Sequence, residues 1–143
     1  MTVQAILAPV FAQVLLTFAL LFWTGRVRFA EIGAGRVRIG DIALGERNWP
    51  ARAQQAANAF SNQFELPVLF YALVPLALHT RKADLLFVVL AWVFVASRVV
   101  HAGIYVTSNR VTRRFQAYAV GALVLLVLWI VFAIRILAAP LAA

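Results

Sequence analysis

The sequence contains no cysteine, only five acidic residues and a single lysine. The absence of cysteine excludes disulfide bonds, thiolate metal ligands and a protein thiol nucleophile. Long polar segments are also missing, because 64% of the 143 residues are hydrophobic and the mean hydropathy is +0.91. A soluble domain of this length has too little interior to hide so much apolar surface. The sequence therefore predicts a single integral membrane domain over residues 1–143, without a metal site and without a soluble basic module that could bind nucleic acid.

Four stretches are long and apolar enough to cross a bilayer, which requires about 20 mostly apolar residues. They cover residues 5–23, 50–78, 84–105 and 112–137. The first is too long for the apolar region of a signal peptide, and no basic segment precedes it. The predicted fold is therefore an all-α integral membrane bundle of four transmembrane helices.

The 13 basic residues, which give a formal net charge of +8, are distributed unequally. Six arginines lie between residues 25 and 52, and three lie at residues 110–114, whereas the connection after the second span has only Arg81 and Lys82. Because Lys and Arg mark the cytoplasmic side, the loop at 25–49 and the third connection are predicted to be cytoplasmic, with both termini outside. The preference for arginine over lysine suggests a GC-rich bacterial source and hence an inner membrane.

The predicted loop contains a tandem repeat, RVRFAEIGAG at 26–35 followed by RVRIGDIALG at 36–45. Arginine and apolar residues alternate at the start of each copy, which predicts a short hairpin at the lipid surface. The main interpretation is a signal for membrane topology. The alternative is a docking patch for anionic lipid or an anionic substrate.

The second span carries a polar stripe that ends in a carboxylate. Spacings of three and four residues place the stripe on one face of a helix. Its members are Gln54, Gln55, Asn58, Ser61, Asn62 and Glu65. Gln63 lies off this face, and Pro67 predicts a kink nearby because proline cannot donate a backbone hydrogen bond.

The third and fourth spans carry further polar residues at spacings of three and four. These are Arg98, His101 and Tyr105 on the third span, and Arg114 and Tyr118 on the fourth. A charge buried in lipid is costly unless it is paired, so we expect Glu65 to pair with Arg98, or to share a polar pocket with it and with His101, Asn62 and Tyr105. A purely structural ion pair between helices is the alternative interpretation. The surplus of arginine over one glutamate indicates an anionic ligand.

These residues resemble the motifs of the MAPEG family, small four-helix membrane proteins that include microsomal glutathione transferases, leukotriene-C synthase and prostaglandin-E synthase. Asn62 and Glu65 in NQFELPVLF match an Asn and a Glu spaced by three on the family's second helix. RVVHAGIY at 98–105 matches the Arg-x-x-His-x-x-x-Tyr of its third helix. Arg114 stands where the synthases have an arginine near the thiol of glutathione, and Tyr118 stands where they have a tyrosine. The resemblance covers nearly the whole chain.

The resemblance implies a homotrimer with sites between neighbouring subunits, open toward the cytoplasmic leaflet. It also implies glutathione as cosubstrate, and a lipophilic electrophile or lipid hydroperoxide that arrives from the membrane. The implied catalytic residues are Arg114, which would stabilise the thiolate, and Tyr118. An adjacent guanidinium favours the thiolate of a thiol whose unperturbed pKa is about 8.5. The implied glutathione-binding residues are Asn58, Ser61, Asn62, Glu65, Arg98, His101 and Tyr105.

Two positions depart from the synthases, which carry arginine where this chain has Asn58 and Ser61. The loss of a hydrogen bond to a charged group costs about 1.5–3 kcal/mol. The sequence therefore leaves two main hypotheses: a glutathione-dependent transferase or peroxidase, and a non-catalytic lipid-binding or scaffold protein on the same fold. A proton-coupled exporter that uses Glu65 is a third hypothesis, which the surplus of intramembrane arginine disfavours.

Overall fold

The computed structural model describes residues 1–43 and 48–138, and the ordered elements in these ranges are all helices. Their bounds are α1 (Val3–Gly33), α2 (Ala51–Ser61), α3 (Leu66–His79), α4 (Leu85–Val106) and α5 (Val111–Leu137). Short 3-10 helices occupy Ile39–Ile42 and Asn62–Phe64. Three of the helices, α1, α4 and α5, are long and apolar enough to cross a membrane. The all-α fold class is thereby confirmed, and the described residues contain three such helices, whereas four spans were predicted.

The first helix is longer than the sequence indicated, because α1 continues ten residues beyond Trp23 to Gly33. The predicted hairpin over the repeat is therefore wrong in its first half, which is helical. Val27 and Glu31, spaced by four, are both buried, and Val27 packs against Ala53 and Ala56 of α2. This burial favours helix up to the glycines, where Gly35 has a φ of +69°. The last two residues of the repeat lie outside the described ranges.

The second predicted span is divided between two helices. Helix α2 ends at Ser61, a 3-10 turn covers Asn62–Phe64, and α3 begins at Leu66. Pro67 lies in the first turn of α3, where its missing N–H costs little. In place of the kink expected near Pro67, the span is broken between Ser61 and Leu66. Helices α2 and α3, with 11 and 14 residues, are each too short to cross about 30 Å of hydrocarbon alone.

The apolar core lies among α3, α4 and α5, with the first turns of α1 packed against it. Phe70 of α3 and Phe94 of α4 are fully buried, with ring centroids 4.9 Å apart. At one end of the core, Asp84 accepts from the backbone N–H of Phe87 at 3.0 Å and pairs with Arg135 of α5 at 2.6 Å. These contacts fix α4 against α5, and so fix the relative height of the polar residues that the two helices carry.

The outer surface of the bundle is strongly apolar. Its exposed large side chains include Phe11, Phe22, Phe29, Val100, Leu123, Leu126 and Ile134. Exposure on this scale is unfavourable in water, whereas lipid solvates such side chains well. The surface therefore agrees with the multi-pass membrane character of the helices.

Candidate functional site

Arg98 lies at the centre of the polar residues, with no part of its surface exposed. Its Nη2 donates to the backbone carbonyl of Asn62 at 3.1 Å, and its guanidinium carbon lies 5.7 Å from the ring centroid of Tyr118. Its Nε and Nη1 atoms have no hydrogen-bond partner among the described residues. Because unsatisfied charged donors are costly when buried, the arrangement leaves Arg98 able to bind an anion.

The expected ion pair between Glu65 and Arg98 is not formed. In the described ranges the ion pairs are Glu31–Arg36 and Asp84–Arg135. Glu65 follows the 3-10 turn and its side chain is exposed on the outside of the bundle. Asn58 and Ser61, which precede the turn on the same stripe, are exposed as well, so this edge of the stripe faces away from Arg98 before and after the turn. The expected close pair is therefore wrong, and Glu65 interacts with Arg98 only electrostatically at longer range.

His101 is buried one turn along α4 from Arg98, with its Nδ1 atom 3.0 Å from the backbone carbonyl oxygen of Arg114. A carbonyl can only accept, so Nδ1 carries a proton. The ring lies between Tyr105 and Tyr118, with both centroids 5.7 Å away. His101 thereby joins α4 to the first turn of α5, and its buried Nε2 has no partner among the described residues.

Arg114 is held by two contacts. Its guanidinium carbon lies 4.1 Å from the ring centroid of Tyr105, and its Nη1 donates to Oδ1 of Asn109 at 2.6 Å. Asn109 lies in the turn between α4 and α5 with a φ of +46°, a conformation that asparagine tolerates better than most residues. The sequence interpretation missed Asn109, although an asparagine in a short turn between two helices indicates this geometry.

These residues surround a cavity of about 220 Å³. Its lining consists of Asn62, His101, Tyr105, Val111, Arg114, Phe115 and Tyr118. Together with Arg98, the structure therefore brings together six of the nine predicted site residues. Asn58, Ser61 and Glu65 lie instead on the exposed outer side of the α2–α3 break. Asn58 is also engaged locally, since its Oδ1 accepts from Gln54 at 2.7 Å.

Three amides that connect the helices were not recognised as a group in the sequence. Gln13 of α1 is completely buried and donates to Oε1 of Gln63 at 2.9 Å, while Gln63 donates to the carbonyl of Ala59 at 3.1 Å. Gln55 donates to the carbonyl of Tyr105 at 2.5 Å. These contacts hold the α2–α3 break against α1 and α4. The available signal was Gln13, an isolated amide in an otherwise apolar run.

The helices and the buried polar cluster define a multi-pass helical membrane protein with an arginine-rich site at one level of the bundle. Comparison with known protein families matches residues 6–134 to the MAPEG family. The match spans nearly the whole chain, so the chain belongs to the MAPEG family, and the resemblance seen in the motifs is confirmed. This family is associated with glutathione and eicosanoid metabolism. Comparisons with curated proteins and with solved structures gave no match.

Proposed function

We propose that the protein is a membrane-bound, glutathione-dependent transferase or peroxidase that acts on lipophilic electrophiles or lipid hydroperoxides. The observation that carries this proposal is the position of Arg114. Its guanidinium lies at the wall of the cavity, where Asn109 and Tyr105 hold it. Tyr118 lines the same cavity and contacts Arg98 and His101. The site therefore combines the guanidiniums of Arg98 and Arg114 with the phenols of Tyr105 and Tyr118.

The charges of the site suit glutathione, a tripeptide with two carboxylates and one thiol. The cavity lining includes no acidic residue, and Arg98 beneath it retains two donor atoms without protein partners. Arg98 is fully buried and does not line the cavity, so it would bind a carboxylate of the tripeptide only after the wall between them shifts. Its guanidinium would then match the carboxylate with two parallel hydrogen bonds. Arg114 would lie beside the sulfur and favour the thiolate.

The chemistry then needs little from the protein beyond position and charge. In transfer, the thiolate attacks an electrophilic carbon, a sulfur–carbon bond forms, and the leaving group departs with the bonding electrons. In peroxide reduction, the thiolate attacks the terminal hydroperoxide oxygen, the O–O bond breaks, and the alkoxide is protonated to an alcohol. A second glutathione then attacks the sulfenic sulfur, which releases water and the glutathione disulfide. Tyr118, whose side chain lines the cavity, would donate the proton.

The site is proposed to be completed by a second copy of the chain in a homotrimer. A cavity of about 220 Å³ is smaller than typical ligand pockets of about 300–1,000 Å³. Glu65, Ser61 and Asn58 are exposed beside it, at a depth where lipid would otherwise meet a carboxylate. A neighbouring subunit on this face would enlarge the pocket and shield Glu65. With the proposed topology, the pocket opens toward the cytoplasmic leaflet and both termini lie outside.

A second candidate function is lipid binding without catalysis, on the same fold. The observation that favours it is the absence of positive charge at the two positions where the synthases have arginine. Ser61 and Asn58 are neutral and exposed, and the Asn58 side chain already bonds to Gln54. A glutathione held without these two arginines would lack two charged contacts to its carboxylates.

The test is glutathione binding by calorimetry in detergent, combined with turnover of a chlorodinitrobenzene electrophile. Arg114→Ala is compared with Arg113→Ala, which removes the neighbouring, exposed arginine. We expect Arg114→Ala to lower kcat by about 100-fold, a typical effect of removing one group that stabilises a developing anion, while glutathione binding changes little. Arg113→Ala should retain both. Equal effects of the two variants would remove the special role of Arg114, and absence of glutathione binding would favour the lipid-binding alternative.

A further inference from the structure

A second cleft lies near the C-terminal end of α1 and shares no residue with the candidate site. Its volume is about 260 Å³. It is lined by Trp23, Arg26, Val27, Ala30, Glu31, Arg36 and Arg52. The three arginines come from α1, from the segment that follows it, and from the first turn of α2. The cleft therefore gathers basic residues that are far apart in the sequence.

The length of α1 places this cleft at the level of the lipid headgroups. The helix has 31 residues and at 1.5 Å per residue is about 46 Å long, whereas the hydrocarbon core is about 30 Å thick. The segment from Val3 to Trp23 is long enough to cross that core. Trp23 is then an interfacial anchor, and the residues that follow it lie among phosphates and water.

The cleft carries a surplus of positive charge. Glu31 on its wall is buried and is already paired with Arg36 at 2.5 Å. Arg26 and Arg52 are exposed and form no ion pair or hydrogen bond within the part of the chain that the structure describes. Arg52 also interacts electrostatically with Glu31, but three guanidiniums face this single carboxylate, so the cleft keeps a net positive charge for an anion. A guanidinium binds phosphate oxygens with paired hydrogen bonds.

The surroundings of Arg26 indicate that the anion has an apolar tail. Phe22 and Phe29 are 73% and 77% exposed, and residues 22, 26 and 29 share one face of α1 by their spacings of four and three. Arg26 therefore lies between two exposed phenylalanines, of which Phe22 lies at the edge of the hydrocarbon core and Phe29 lies at the level of the headgroups. Trp23, Val27 and Ala30 add an apolar wall to the cleft itself. A soluble phosphate would use the charges of this site but not its apolar flank.

We propose that this cleft binds the phosphate of an anionic glycerophospholipid, with Arg26 and Arg52 contacting the phosphate and the acyl chains running past Phe22 toward the hydrocarbon core. Clusters of basic residues at a membrane surface recognise anionic headgroups in this way. A signal for membrane topology would require only the charges, without a cleft or an internal Glu31–Arg36 pair. The proposal does not depend on the proposed function, because the cleft lies outside the glutathione site.

The test measures phosphatidylglycerol bound to the full-length protein in a neutral detergent by native mass spectrometry, with phosphatidylcholine as the uncharged-headgroup reference. The double variant Arg26→Gln/Arg52→Gln is compared with Arg38→Gln/Arg113→Gln, which loses the same charge from exposed positions outside the cleft. A neutral micelle has no charged surface, so only protein charges that contact the phosphate should change the affinity for the lipid. We expect phosphatidylglycerol affinity to fall about 30-fold in the first variant and less than about twofold in the second. Equal losses in the two variants would overturn the proposal.

Two further measurements separate the remaining outcomes. Glu31→Gln removes the internal anion and frees Arg36, so it should strengthen phosphatidylglycerol binding, a gain that misfolding cannot produce. No gain, with the thermal midpoint unchanged, would contradict the proposed role of the cleft charges. Inorganic phosphate and glycerol phosphate at millimolar concentration should fail to displace the lipid. If either displaces it, the site takes free phosphate and the lipid proposal is wrong.

Discussion

Replacement of Gly121 by alanine should loosen the contact between α4 and α5 that carries the candidate site. A Cβ atom at Gly121 would lie 2.7 Å from Oγ of Ser97 and 3.7 Å from Cδ of Arg98. A rotation of the Ser97 side chain away from this Cβ would be unfavourable, because its Oγ donates to the carbonyl of Phe94 at 2.6 Å and the side chain is buried. Either α5 moves outward, or Ser97 rotates and leaves a buried hydroxyl without a partner.

The magnitude follows from comparison with Gly103→Ala, a matched change on the exposed face of α4 where an added Cβ meets nothing within 4 Å. Alanine in a helix gains about 1 kcal/mol over glycine at both positions, so this gain cancels in the comparison. Overpacking costs about 1–3 kcal/mol, as does an unsatisfied buried hydroxyl. We therefore expect Gly121→Ala to be about 1–3 kcal/mol less stable than Gly103→Ala.

The assay is the thermal midpoint in detergent, followed by tryptophan fluorescence, together with glutathione-dependent turnover. Tyr118 lies three residues before Gly121, so an outward shift of α5 would also move Tyr118 away from Arg98 and lower turnover. Ser97→Ala introduced into Gly121→Ala removes the clashing oxygen and should restore most of the midpoint. A Gly121→Ala protein as stable as Gly103→Ala, or the absence of rescue by Ser97→Ala, would refute the reasoning.

Three other changes test separate parts of the structure. Asn109→Gly keeps the positive φ of the turn but removes the acceptor of Arg114, so kcat should fall about tenfold with little change in the thermal midpoint; a lower midpoint with unchanged kcat would contradict this. Arg135 and the Phe87 N–H lower the pKa of Asp84, so its contribution is complete above the ordinary carboxyl pKa of about 4 and is lost as pH falls through the lowered value. Asp84 is half exposed, so the effect is about 1 kcal/mol or less, and Asp84→Asn should reduce the acid-induced drop in midpoint. Gln13→Leu or Gln63→Leu alone should cost about 1–3 kcal/mol in thermal-melt stability, whereas the double variant should recover part of that loss; additive losses would show that the two amides do not interact.

The apolar runs predicted the fold class because about 20 apolar residues can be accommodated only as a membrane helix. Helix ends were harder to predict, since they depend on contacts between helices. The sequence ended the first span at Trp23, where arginines begin, but the burial of Val27 and Glu31 continues α1 to Gly33. The first arginines indicate where the helix leaves the hydrocarbon core, whereas the end of the helix is set by where its backbone hydrogen bonds stop.

The site residues on α4 and α5 were predictable because spacings of three and four hold along unbroken helices. Arg98, His101 and Tyr105 lie on one face of α4 as expected, with Arg114 and Tyr118 opposite them. The partners of Arg114 were less accessible to sequence reasoning. The contact with Asn109 depends on the path of a four-residue turn, 107–110, and periodicity says nothing about that path.

The position of Glu65 shows why the polar stripe of the second span was only half predictable. Asn62, at the start of the 3-10 turn, still faces the cavity, and its carbonyl binds Arg98. Glu65, after the turn, faces outward with Ser61 and Asn58. A carboxylate at this depth is stable only if it is neutralised or paired. Arg98 forms no ion pair with Glu65 within the described residues and interacts with it only electrostatically at longer range, so the chain itself offsets only part of the cost of this carboxylate.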